Sequence, residues 1–214
     1  MHVRRATRHI EQRIRRDGYE RLCGIDEVGR GAWAGPLVVG AVILDRDATT
    51  PVRFSGLRDS KALTPAARER LFTQITRRAC AWGVGIVEHT IIDREGLRAA
   101  QEEATILALR GVSLRPDFFL FDGNAPPLYT PGKSFVRGDA RIASIAAASI
   151  IAKVIRDRIM RAFHLEYPTY GFFEHKGYGT PHHQRAIARY GLCSIHRRSF
   201  VPPSLFVGDI LQEK

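Results

Sequence analysis

The sequence predicts an α/β protein with a central five-stranded mixed sheet flanked by helices and a C-terminal helical segment. Three observations point there. Short apolar and β-branched runs of strand length are interspersed with longer segments whose apolar residues recur at helical spacing. Three strands come early, ahead of regular helix–strand alternation, which suggests an antiparallel meander joined to parallel strands. Thr-Pro and Gly signals then punctuate the predicted helices where a start or a stop is needed.

Taken in order, Leu22–Val28 and Leu37–Leu44 read as a strand pair around a Gly-rich turn. Thr64-Pro65 reads as an N-cap followed by Pro at the first helical position, opening a helix to about Ala79. Trp82–Glu88 is the third strand. Asp93 is placed to cap the next helix, with Leu97, Ala100, Ala104 and Leu107 on one stripe and Gly111 at its end. Phe118–Phe121 and Ser134–Arg137 complete the sheet, the first running into Asp122-Gly123-Asn124 and the second into Gly138-Asp139. A long helix follows over about 142–165, and Thr180-Pro181 opens a last one that stops at Gly191. His182 and His183, at its start, are expected to be exposed.

The chain has 214 residues, 44% apolar and 26% charged, a globular composition that argues against disorder or a fibrous protein. The charge is unusual: +11, and 28 of the 33 basic residues are Arg, the better fork for phosphate. A polyanionic partner is indicated, nucleic acid ahead of an anionic membrane surface. Three scattered Cys suit a reducing compartment, and Cys193 with His196 lacks a second pair nearby for a zinc site. No secretory signal is visible, and the longest apolar runs are too short to span a bilayer, so a cytoplasmic protein is expected. Residues 1–21 carry seven Arg and three acids and read as a basic, solvated extension with a short helix; 22–200 read as one domain, and 201–214 as a short tail.

Four acids fall at the ends of predicted strands: Asp26, Glu27, Asp122 and Asp139. In open α/β sheets, sites gather at such ends. A lone strand-end Asp is more often a turn cap. Collected acids in a basic protein have another use, holding hard divalent cations, Mg²⁺ or Mn²⁺, that bridge carboxylates to phosphate oxygens. One difficulty is that neighbours on a strand face opposite ways, so Asp26 and Glu27 can share a site only if the chain bends there. Gly29-Arg30-Gly31 follows directly and leaves backbone groups open to a ligand; seen alone, it is also a plain hairpin turn. Gly29, Gly31 and Gly35 are spaced one residue too far for a dinucleotide-binding fingerprint.

The run Gly24-Ile25-Asp26-Glu27-Val28-Gly29-Arg30-Gly31, with Ala34-Gly35-Pro36, resembles the opening motif of ribonuclease HII, the bacterial type 2 ribonuclease H. Asp59-Ser60-Lys61, Asp122-Gly123-Asn124, Gly138-Asp139, the 147–157 helix segment, Tyr167-Pro168, His175-Lys176-Gly177-Tyr178 and His196-Arg197-Arg198-Ser199-Phe200 follow in order, over about residues 22–200. The resemblance implies a ribonuclease H-like fold and an endoribonuclease that acts on the RNA strand of RNA–DNA hybrids. It also implies incision at single ribonucleotides in duplex DNA, leaving 5′-phosphate and 3′-hydroxyl ends. It implies Asp26, Glu27, Asp122 and Asp139 as ligands of Mn²⁺ or Mg²⁺, two ions per active site with substrate. Gly29, Arg30 and Gly31 correspond to a backbone clamp on the ribose 2′-hydroxyl, and Tyr178 to a residue packing on the neighbouring sugar. Only that hydroxyl marks a ribonucleotide among DNA neighbours, apart from the uracil methyl.

Lys61, Ser149, Lys153, Lys176 and Arg197 are expected to touch the nucleic-acid backbone, with Asp157 as an i,i+4 partner of Lys153. The related ribonuclease HIII carries an extra domain ahead of its catalytic motif, whereas the motif here begins at Gly24. Two other readings remain: a metal-free nucleic-acid-binding module, which leaves the acids unexplained, and a small-molecule phosphatase, which leaves the charge unexplained. A monomer is expected. Ser204-Leu205-Phe206 matches a sliding-clamp peptide too poorly to support that contact.

Overall fold

A computed structural model of the chain describes residues 6–45, 57, 60, 63–124 and 128–205. Five strands form one sheet: β1 (Leu22–Val28), β2 (Leu37–Ile43), β3 (Ala81–Val87), β4 (Phe118–Asp122) and β5 (Gly132–Phe135), in spatial order β3-β2-β1-β4-β5. β1 pairs antiparallel with β2, and β2 with β3, while β1–β4 and β4–β5 are parallel. This is the mixed sheet the strand order predicts. β5 begins and ends two residues earlier than expected, so Asp139 sits not at a strand end but in a 3₁₀ turn, Gly138–Ala140.

The helices are α1 (His9–Arg16), α2 (Pro65–Arg78), α3 (His89–Arg110), α4 (Ala143–Glu166), α5 (Phe172–His175) and α6 (Pro181–Tyr190). Both Thr-Pro starts hold: Thr64 Oγ1 accepts from the Ala67 amide at 3.2 Å and Thr180 Oγ1 from the His183 amide at 3.3 Å. Asp93 does not cap a helix. It lies inside α3, which breaks at Gly96 (φ +84°), and its carboxylate accepts from the Arg198 and Ser199 amides at 2.8 and 3.0 Å. An Asp serves any orphan N–H, and here the orphans lie far along the chain.

The sheet is covered on both faces. The Ala100, Ala104 and Ala108 stripe of α3 packs with Ile25, Val39 and Ala41 on one face; α4 and α2 pack with Val42 on the other. Alternation along β2 sends successive residues to opposite cores. Helix α4 lies close against β1 and β2, since a Cβ on Gly24 would strike the Ser144 backbone and one on Gly40 the Ala148 carbonyl. That contact fixes the helix against the strand carrying Asp26. A third cluster, around Met160, Tyr170, Phe172, Ile187 and Ile195, joins the C-terminal segment to the end of α4. Among the described residues, no helix is long and apolar enough to cross a membrane.

The N-terminal segment corrects the reading of a solvated extension. Ile10, Ile14 and Tyr19 pack against Leu22, Leu120, Ile142 and Ile145. Thr7 donates to the Arg141 carbonyl at 3.0 Å and accepts from the Ala143 amide at 3.1 Å. Glu11 is buried, and its carboxylate accepts from the Ser144 amide at 3.0 Å. Helix α4 has no side-chain cap of its own at Ile142, so Glu11 serves as one from another element, its carboxyl oxygen taking a first-turn amide that has no partner within the helix. Only the outer face of α1, with Arg13 and Arg16, is exposed.

Candidate active site

Asp26, Glu27, Asp122 and Asp139 line one pocket together with Gly29, Arg30, Gly31, Ser60, Ser149, Lys153 and Tyr178. The sheet supplies the first three acids from β1 and its parallel neighbour β4, and the turn after β5 supplies Asp139. Asp26 and Glu27 reach the same pocket because β1 ends at Val28 and the chain turns at Gly29 with φ +90°. The Glu27 amide donates to Asp26 Oδ1 at 2.8 Å, while its carboxylate lies 3.4 Å from Arg30 Nη1. Asp122 Oδ1 accepts from the Gly138 amide at 2.6 Å and the Asp139 amide at 3.4 Å, which ties the two parallel strands' ends together.

The electrostatics are those of an uncompensated acidic site. Burial, with Glu27, Asp122 and Asp139 close by, raises the Asp26 carboxyl well above its usual range; a hydrogen bond from Ser149 opposes the shift. Burial also raises Glu27, and Arg30 beside it works the other way. Among the described residues no three His, Cys, Asp or Glu side chains form a closed ligand cluster. A row of carboxylates around an open pocket, one of them buried and destabilised by its neighbours, fits a hard cation shared with substrate oxygens rather than caged by protein alone.

Behind the Gly29-Arg30-Gly31 loop stand two fully buried arginines. Arg197 donates from Nη1 to the Gly29 carbonyl at 2.7 Å and the Arg30 carbonyl at 3.3 Å, and from Nε to the Gly35 carbonyl at 2.9 Å. Arg156 donates to the carbonyls of Pro36, Lys176 and Ala34 at 2.9, 2.9 and 3.1 Å. A Cβ on Gly29 would run into the Arg156 guanidinium, so this glycine is required by space as well as by its positive φ. The next residues are stitched to the C-terminal segment: Trp33 and Ala34 donate to the Gly177 carbonyl at 2.8 and 3.2 Å, and Arg197 N–H to the Trp33 carbonyl at 2.7 Å. The Tyr178 ring rests 5.5 Å from the Arg156 guanidinium and keeps 36% of its surface exposed.

Two of the expected backbone contacts lie outside the pocket lining. Arg197 is fully buried, with Nε and Nη1 on loop carbonyls and Nη2 buried without a hydrogen-bond partner, so it presents no nitrogen to a phosphate at the surface. Lys176 lies outside the pocket lining; its ammonium donates to the Phe173 carbonyl and sits 5.1 Å over the Phe173 ring. Charge type alone does not separate a structural cation from a phosphate ligand. Lys153 does line the pocket, in an ion pair of 2.6 Å with Asp157, which also faces Arg68 at 3.8 Å. Ser149 Oγ lies 2.9 Å from Ser60 Oγ. Lys61 lies outside the described residues. The sequence reading missed Arg156 and Ser60 as parts of this site, although both stand inside runs it singled out. His183, expected at the surface, is fully buried.

The sequence model of the ribonuclease HII family matches residues 23–202, covering all four acids and both buried arginines. The chain belongs to the ribonuclease HII family. It is 50% identical over 192 residues to the ribonuclease HII of Geobacillus thermodenitrificans, an alignment spanning 90% of this chain and 73% of that one. The ribonuclease H2 structure from Pyrococcus horikoshii superposes with a TM-score of 0.72 at 29% identity, over 84% of this chain and 93% of that one. A Bst ribonuclease HIII structure in complex with Mn²⁺ shares the fold at 17% identity, with a TM-score of 0.66 over 91% of this chain and 71% of that one. As a ribonuclease HII, the chain is a ribonuclease H, an endonuclease acting on RNA–DNA hybrids, and its family depends on divalent metal. The five-stranded mixed sheet with flanking helices is the ribonuclease H-like architecture.

Proposed function

We propose that this ribonuclease HII incises duplex DNA on the 5′ side of a single embedded ribonucleotide, as well as the RNA strand of longer hybrids, leaving 5′-phosphate and 3′-hydroxyl ends. One observation carries the reading: the four acids, the Gly29-Arg30-Gly31 loop and Tyr178 line the same pocket. A cleaving centre thus shares its walls with a rigid main-chain surface suited to a hydroxyl and an aromatic ring suited to a sugar.

In this reading Asp26, Glu27, Asp122 and Asp139 hold Mn²⁺ or Mg²⁺, two ions with substrate present. Such ions supply Lewis-acid stabilisation of phosphate charge and favour an ionised water at neutral pH. The chain's own residues do the rest. Asp122 keeps its orientation through the Gly138 and Asp139 amides, and Asp26 through the Glu27 amide and Ser149. Arg197 holds the Gly29 and Arg30 carbonyls from behind and Arg156 those of Ala34, Pro36 and Lys176 beside them, so that the loop meets a ribose as a preformed surface. Lys153 and Ser149 offer polar contacts to the nucleic-acid backbone. The net charge of +11 makes duplex binding fall steeply with salt. The enzyme acts as a monomer.

The test is a gel assay on duplex DNA carrying one ribonucleotide. Cleavage stops with EDTA and returns with Mn²⁺ or Mg²⁺. Asp122→Asn lowers the rate by several orders of magnitude (on the order of 10³-fold or more) while leaving duplex binding near wild type. Full activity in Asp122→Asn removes the site assignment; cleavage of long hybrids without incision at the single ribonucleotide removes the substrate reading.

A further inference from the structure

Three histidines are packed behind Tyr178, and the family reading gives none of them a role. His183 and His196 face one another with their Nε2 atoms 3.0 Å apart. Two ring nitrogens at that distance share a single proton. Their other contacts say which ring holds it. His183 Nδ1 lies 3.0 Å from the Tyr178 carbonyl, which only accepts, so Nδ1 carries hydrogen and Nε2 of a neutral ring is bare. His196 Nε2 is then the donor, and its Nδ1 accepts from the Cys193 amide at 3.0 Å, with the Cys193 thiol 3.1 Å away; the Cys193 carbonyl, 3.2 Å from the same nitrogen, takes its hydrogen from the His196 amide at 3.2 Å. Burial depresses both rings, His183 to about 3 and His196 to about 4, so both are neutral at neutral pH.

His175 extends the arrangement. Its ring stacks on His183 at 4.5 Å and 15°. Its Nδ1 accepts from the Gly177 amide at 3.2 Å, which leaves Nε2–H to donate to the Tyr170 carbonyl at 2.7 Å. The main chain on either side of Tyr178 is therefore tied to an imidazole: Gly177 N–H to His175, and Tyr178 C=O to His183, with Thr180 N–H also on that carbonyl at 2.7 Å. Each of these bonds requires one tautomer, and the tautomers agree along the chain from Cys193 to Tyr178.

We propose that His183, held in its tautomer by His196 and stacked on His175, is a positioning residue that fixes the Tyr178 main chain and so sets where the Tyr178 ring meets the sugar beside the ribonucleotide. This rests on the reading of Tyr178 as a sugar-packing residue. His183 touches neither substrate nor the acids; it acts through Tyr178. Its effect therefore falls on turnover at single-ribonucleotide junctions more than on duplex affinity or on long hybrids.

The experiment uses the full chain with three substitutions. His183→Phe keeps the ring and deletes the donor. In His183→Asn, the amide nitrogen stands in for Nδ1 and keeps the donor. Tyr178→Ala removes the ring itself. Amide hydrogen exchange is read at Gly177 and Thr180, and kcat and KM on both substrates. In His183→Phe, exchange rises and kcat at the single ribonucleotide falls, each about tenfold, the size of one neutral hydrogen bond, with KM little changed and long hybrids less affected. His183→Asn recovers most of both. Imidazole nitrogen NMR of the unsubstituted protein shows His183 protonated at Nδ1 and His196 at Nε2. Unchanged exchange in His183→Phe, equal losses in the Phe and Asn variants, or the opposite tautomers overturn the proposal. Equal losses on both substrates in Tyr178→Ala remove the recognition role of Tyr178 instead, and the exchange comparison then judges the histidines alone.

Discussion

Replacing Arg197 with Met separates two accounts of this residue, as brace for the loop or as phosphate ligand. The substitution keeps most of the side chain's length and removes its charge and donors. Three carbonyls lose the Arg197 donor: Gly29 at 2.7 Å, Gly35 at 2.9 Å and Arg30 at 3.3 Å, Gly29 keeping only the Ala32 amide at 3.3 Å. The two short bonds count for most, at about 1.5–3 kcal/mol each for hydrogen bonds to a charged group. Against that, a buried guanidinium no longer has to be stripped of water, which trims the loss to about 2–4 kcal/mol. For a chain of this size that corresponds to a fall in Tm of about 5–15 °C. The loop also loses its rear support, and a displaced loop costs about 10–100-fold in kcat on a single-ribonucleotide duplex. The checks are a thermal melt, steady-state cleavage and the salt dependence of duplex binding. A structural Arg leaves the slope of log affinity against log salt as it was, whereas a phosphate ligand flattens it by about one unit when removed. An unchanged Tm together with a flatter slope would refute the buried-brace account.

Two further outcomes follow from buried acids. Asp26→Asn raises the Tm of the metal-free protein while abolishing cleavage, because the ionised Asp26 is opposed by burial and by Glu27, Asp122 and Asp139; calorimetry in EDTA checks it, and a lower Tm contradicts it. Glu11 is raised by burial above its ordinary 4.5, so the folded state binds its proton more tightly than the unfolded chain does. Its contribution is then full below 4.5 and is lost as pH rises through the raised value, and Glu11→Gln flattens that fall when Tm is compared across pH 4 to 8, identical profiles counting against it.

The sheet was legible because its signals are local. Apolar runs, turn glycines and Thr-Pro caps lie within a few residues of what they control, and β1 came out with the expected bounds. The acids were legible through the family motif, and three of the four do stand at strand ends. Asp139 was displaced because β5 stops at Phe135 and a 3₁₀ turn intervenes, a boundary decided by pairing with β4 rather than by local composition. The buried polar groups were not legible. Arg156 and Arg197 look like any other of the 28 arginines, and their partners are carbonyls, which leave no mark in sequence. His183 looked exposed because it sits beside His182 at a helix start; the N-cap turn sends one outward and the other under Tyr178. The N-terminal helix looked solvated because its charge outweighs two isoleucines, yet those two and one acid decide where it sits.

The bond between Glu11 and Ser144 spans 133 residues, and that separation has a consequence for how the chain comes off the ribosome. At about 5–20 residues per second, the N-terminal segment waits on the order of ten seconds before its partner helix has been made. Throughout that interval it is an arginine-rich strand of nascent chain, its acid ionised and its isoleucines in water. The helix bearing Ser149, Lys153 and Arg156 then arrives with no cap of its own and is completed only when a segment made 133 residues earlier returns to it. Closure of so distant a contact makes assembly of the catalytic face a late event in folding, and ties it to the arrival of nearly the whole domain.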